Sequence, residues 1–149
     1  MGLFDSTDEH PPSKIRRYII TAAAGVLILV AVVWWFSRFH TEKHTVRTFM
    51  NAVVAGKLQE AYKIWKPEAS YSFKDFQDDW GDAGYYGPVK SFYIQDATRL
   101  RNSSAAVIIV EISPYAPFPE KDDVAKQAKT KEVKLWVQFS DQSISFPPF

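Results

Sequence analysis

The chain has 149 residues, 46% of them hydrophobic, with no cysteine and a formal net charge of +1. From Thr41 onward 14 Lys/Arg meet 14 Asp/Glu, and a neutral stretch without a basic block lacks the electrostatic footprint of a nucleic-acid binder. The absence of cysteine excludes thiol nucleophiles and disulfides, and the length fits one domain with an appendage.

In chain order, residues 1–13 read MGLFDSTDEHPPS, the composition of a disordered cytoplasmic tail, assigned to 1–14. The opening MGLFDS formally matches an N-myristoylation pattern. In a chain that also carries a long apolar segment, the match reads as coincidence.

Residues 18–37, YIITAAAGVLILVAVVWWFS, contain no charged side chain. Twenty helical residues at about 1.5 Å rise span about 30 Å, the thickness of a bilayer's hydrocarbon core. Only a helix satisfies such a segment's backbone groups in lipid. Tyr18 stands at one end and Trp34, Trp35 and Phe36 at the other, where amphipathic rings favour the membrane interface. No small-residue cleavage site follows. A transmembrane helix over 15–39 is therefore expected, with Arg16, Arg17, Tyr18, Trp34 and Trp35 at the lipid boundary. Arg16 and Arg17 abut the span on its short flank, which predicts a cytoplasmic N-terminus. Residues 40–149 then form a periplasmic or extracellular domain on a single-pass protein of the inner or plasma membrane.

Val46, Phe49, Met50, Val53 and Val54 fall at helical spacing, and Gly56 follows as a C-terminal stop. Leu58, Ala61, Tyr62 and Trp65 repeat the stripe, and Pro67 closes it. Ser72 and Asp75 form a capping-box signature for a short helix over 72–80, with Phe73, Phe76 and Trp80 inward. Gly81, Gly84 and Gly87-Pro88 then turn the chain.

Strands are predicted over 89–98, 104–112 and 132–140, with a short closing strand in QSISF. The second is apolar on both faces and reads as central. The third alternates Val133, Leu135, Val137 and Phe139 inward with Trp136 outward. Three prolines break the segment 113–131, in which 122–129 suits a helical turn. Helices segregated on one face of an antiparallel meander make an α+β domain.

Phe49, Ala52, Gly56, Ala61 and Tyr62 in TFMNAVVAGKLQEAYKIW resemble the opening helical pair of the nuclear transport factor 2-like (cystatin-like) class. The span followed by YYGPVKSFYI, through Gly87, Pro88 and Val89, is similar to the cytochrome oxidase complex assembly protein 1 family. The resemblance implies helices packed on a curved antiparallel sheet. It transfers no catalytic residue, because the first class holds enzymes, ligand binders and interaction modules alike. The long 113–131 segment departs from both patterns.

Candidate chemistry is sparse. Asp75, Asp78, Asp79 and Asp82 share a helix face, but it is the solvated face opposite Phe73, Phe76 and Trp80, and calcium-loop spacing is missing. His40 and His44 stand one turn apart without a third ligand. The chain's three histidines fall in the tail (His10) and the juxtamembrane linker (His40 and His44), so a Ser–His–Asp set inside the folded domain is not expected. Asp96 and Glu111 could act as an acid–base pair on adjacent strands, though edge charges explain them as well. Asn102-Ser103-Ser104 matches a glycosylation sequon, with nothing pointing to a secretory route. No cofactor, metal or catalytic residue is assigned.

The remaining signal is aromatic. Tyr93 and Trp136 face away from the helices, Phe118 and Phe149 fall near them, and Tyr85 and Tyr86 sit in the helix-to-sheet loop. Tyr85, Tyr86, Tyr93, Trp136 and Phe118 are the candidate ligand or partner surface. The reading favours a non-enzymatic accessory module that meets the lipid bilayer and a membrane-protein partner. The alternative is a small-ligand-binding or enzymatic pocket in the cone of the sheet.

Overall fold

The computed structural model describes residues 14–148. The predicted tail, except Lys14, lies outside the described residues, as do the myristoylation pattern and Phe149. The chain divides into two compact units, Met1–Arg38 and Phe39–Phe149.

The first unit is built on α1 (Lys14–Ser37), which buries none of its side chains. At about 1.5 Å per residue its 24 residues reach about 36 Å. It is the one helix among the described residues long and apolar enough to cross a membrane. Arg16, Arg17 and Tyr18 lie in its opening turns, Trp34 and Trp35 near its end, all exposed. The Arg38 guanidinium lies 4.8 Å from the centroid of the Trp35 ring.

The second unit is α+β. Its elements are α2 (His40–Val54), α3 (Leu58–Trp65), α4 (Phe73–Trp80), β1 (Ser91–Arg99), β2 (Ala105–Ser113), α5 (Val124–Gln127), β3 (Lys131–Gln138) and β4 (Ile144–Ser145). The strands form one antiparallel sheet in the order β1-β2-β3-β4. Consecutive strands thus pair with their neighbours, the low-cost connection for short turns.

The expected stripe Val46, Phe49, Met50 and Val53 is buried, but α2 starts six residues before it, at His40. The added turns are held by contacts distant in sequence. Buried Glu42 accepts from Gln142 Nε2 at 3.2 Å, and Thr45 Oγ1 donates to Gln142 Oε1 at 2.9 Å. The helix ends in a Schellman motif. Lys57 N donates to Ala52 O and Gly56 N to Val53 O, at 2.9 and 3.0 Å. Gly56 takes φ +73°, where a side chain would be strained.

Phe49 anchors the core, with ring centroids 5.2 Å from Trp65, 5.1 Å from Trp80 and 6.1 Å from Phe76. Ala106, Ile108, Val110 and Ile112 of β2 close the layer from the sheet side, with Val133, Leu135 and Val137 of β3. As expected for a central strand, β2 is buried on its other face too, at Ala105 and Val107. The alternation on β1 breaks between Ile94 and Asp96, where the register to β2 shifts. Phe92 and Ile94 face the core opposite Ile112 and Val110, and Ala97 then takes the inward place opposite Ile108. An inserted residue of this kind flips the downstream faces.

Candidate functional site

The helix-to-sheet joint is assembled locally. Ser72 Oγ accepts from Asp75 N at 3.2 Å, and Asp75 Oδ2 accepts from Ser72 N at 2.9 Å, which closes the capping box at the start of α4. The Ser72 hydroxyl also donates to Asp75 Oδ2 at 2.6 Å, and this bond first, then the one from Ser72 N, holds the Asp75 carboxyl below the usual carboxylate range. One turn on, Asp79 Oδ2 accepts from the Tyr71 hydroxyl at 2.6 Å. Burial first, and then the Asp79 hydrogen bond and charge, push the Tyr71 phenol far above its ordinary value. Two of the four aspartates therefore have structural roles. Among the described residues no cluster of three or more His, Asp or Glu side chains is placed to hold a metal.

Beyond α4 the chain folds back on the helix end, with Tyr85 N donating to Asp78 O and Tyr86 N to Asp79 O at 2.9 and 2.8 Å. A Cβ on Gly87 would come within 1.9 Å of Gly81 O, so only glycine permits this close approach. Tyr86 stacks on Trp80 at 4.8 Å and on Phe146 at 5.6 Å. Its phenol is raised by burial and then by the Asp79 charge. Tyr85 is 72% exposed and meets Tyr86 edge-on. Its carbonyl accepts from Lys131 Nζ at 2.7 Å, and the same ammonium lies 5.5 Å from its ring centroid. Tyr86 is thus part of the core wall, while Tyr85 is presented to solvent.

On the sheet's outer face, Tyr93 is 56% exposed, with Phe118 at 6.2 Å. Trp136 faces outward in register but is half-buried, flanked by Val107 of β2 and Ser145 of β4. Its indole N–H is enclosed without an acceptor among the described residues. The ring lines an open cleft of about 440 Å³ with Trp65, Tyr71, Gln138 and Phe146. Tyr93 pairs with Glu111 and Trp136 with Val107, four positions apart along β2, or about 13 Å. The structure therefore joins Tyr85 with Tyr86 and Tyr93 with Phe118, and sets Trp136 apart from Tyr93.

Asp96 sits opposite Ile109, and its Oδ1 accepts from Ala97 N at 2.7 Å. Glu111 lies opposite Tyr93 on one side and Glu132 on the other. The two acids considered as a pair are thus diagonal neighbours across β1 and β2, not directly opposed. His40 and His44 occupy the first turns of α2, where Glu42 turns inward to Gln142 and away from both. Sequence reasoning did not single out Tyr71 or Lys131. Their partners, Asp79 and the Tyr85 carbonyl, are set by the fold of the joint and leave no spacing motif.

Comparison of the chain with protein-family models, with curated proteins and with solved structures found no match.

Proposed function

We propose that this chain is a membrane-anchored, non-enzymatic accessory module that docks on another membrane protein and serves the assembly or stabilisation of a membrane complex of the respiratory type. In this reading α1 is the anchor, the N-terminus is cytoplasmic and the α+β unit is a cystatin-like domain on the far side of the membrane. The tether raises the domain's effective concentration toward neighbours in the same bilayer. What supports it most directly is the filled interior. Phe49, Trp65, Phe76 and Trp80 occupy the space between helices and sheet, where a ligand-binding member of such a fold keeps its pocket. Exposed Tyr85 and the Tyr93–Phe118 pair are the contact residues proposed for the partner.

The test is extraction of the tagged full chain from native membranes in mild detergent, followed by native size analysis and mass spectrometry. The reading expects co-migration with a larger membrane assembly that is lost in Tyr85→Ser/Tyr93→Ser, with thermal stability unchanged. A monodisperse monomer carrying a small molecule in the cleft beside Trp136 would instead establish the ligand-pocket alternative.

A further inference from the structure

The charge of the second unit is unevenly divided. Residues 41–66, which include most of α2 and all of α3, carry five Lys/Arg against two Asp/Glu, whereas residues 67–148 carry nine against twelve. Both acids of the basic part are already engaged. Glu42 is buried against Gln142, and Glu60 lies 3.5 Å from Lys57. The side chains of Lys63 and Arg47 make no ion pair or hydrogen bond among the described residues. Lys66 donates one proton to the Asp141 carbonyl, which leaves the rest of its ammonium outward.

Two of these cations, Lys63 and Lys66, border a groove of about 440 Å³ that is also lined by His44, Thr45 and Thr48 of α2, Ile64 of α3 and Gln142. Lys63 also suits the last turn of α3 as a favourable charge at a helix C-terminus. That role does not explain Lys66, which follows the helix at φ +50°, or Arg47 on the neighbouring helix.

We infer that this groove docks the anionic phosphate headgroups of the bilayer that α1 enters. The inference rests on the anchored reading proposed above. Chain length favours lipid over other anions. His44 lies seven positions beyond Ser37, the last residue of α1, a reach of at most about 25 Å even when fully extended. His44, on the groove's wall, is thus tethered within that chain length of the end of α1. Basic groups close to an anionic leaflet gain on the order of fivefold in association each, and the gain decays within a Debye length of about 8 Å at physiological salt.

The test uses the full chain in nanodiscs of phosphatidylcholine alone and in discs containing a third phosphatidylglycerol. A water-soluble amine-acylating reagent reports each lysine by mass spectrometry, with Lys121 and Lys129 as internal references. Labelling of Lys63 and Lys66 is expected to fall about fivefold in the anionic discs relative to those references, and to recover in about 1 M salt. In Lys63→Ala the protection of Lys66 should fall by a similar factor. Equal labelling in both discs, with the chain embedded, overturns the lipid assignment and leaves the groove to an acidic protein surface. A chain that embeds in neither disc refutes the anchor itself, and the inference with it.

Discussion

Phe49 offers the sharpest test of whether the domain's interior is a filled core. Its ring is fully buried and meets Trp65 and Trp80 at 5.2 and 5.1 Å, with Phe76 farther off at 6.1 Å. Phe49→Leu keeps most of the apolar volume but removes the ring pairs, two at close range. At about 1 kcal/mol per close pair, the loss is about 2 kcal/mol. Phe49→Ala removes the transfer energy as well and leaves a cavity among rigid rings that cannot collapse into it, for about 4 kcal/mol. For a unit of this size those losses lower Tm by about 8 and 16 °C. Urea titration in nonionic detergent, followed by near-UV circular dichroism of Trp65 and Trp80, measures both. A Phe49→Ala cost below about 1 kcal/mol would refute the filled core, because a preformed pocket tolerates truncation of its wall far better than a packed interior. It would also revive the ligand-pocket reading. A Phe49→Leu loss near zero would show that ring geometry adds nothing to bulk.

Three further outcomes are expected. Gly87→Ala forces a methyl group into the Gly81 carbonyl and should cost about 3 kcal/mol by the same titration; a near-neutral result would mean the joint is not held as described. Ser72→Ala should cost about 1 kcal/mol through loss of the α4 cap. Ser72 also donates to the Asp75 carboxylate, and that separate contribution is present above about pH 4 and lost as pH falls through the lowered value. Acid titrations of wild type and Ser72→Ala should therefore draw closer at low pH without meeting, since the cap bond to Asp75 N persists, and parallel curves would argue against the Ser72–Asp75 carboxylate bond. The raised Tyr71 phenol works in the opposite sense. Its contribution is complete below about pH 10 and is lost as pH rises through the folded value. Tyr71→Phe should flatten the alkaline loss of stability, with phenolate absorbance of Tyr71 emerging only on unfolding; early ionisation in the folded protein would count against the Asp79 contact.

Local signals in the sequence reached a good part of this architecture. The Val46-to-Val53 stripe, the Ser72–Asp75 box and the alternation of β3 each depend on residues a few positions apart, and each is present in the structure. What escaped depends on partners far along the chain. The extra turns of α2 rest on Gln142, about a hundred positions away. The half-burial of Trp136 depends on β4 lying beside it, and strand alternation alone reports direction without cover. The register shift in β1 shows only against β2, since FYIQDAT contains no glycine or proline to mark it. Among the candidate site residues, the sequence separated outward from inward on the sheet but could not reveal that Tyr86 fills the core wall between Trp80 and Phe146.

The irregularity in β1 bears on life at high surface density. A nine-residue strand at the margin of a sheet presents free backbone donors and acceptors to any neighbour. Proteins confined to a bilayer meet one another far more often than the same number in bulk solution, so an uninterrupted margin would invite chain-to-chain zipping. The shift beside Gln95 breaks the spacing of those groups midway, and charged Asp96 and Arg99 follow it. An approaching strand can match one half or the other but not the whole length, so the margin is a poor template for its own copies.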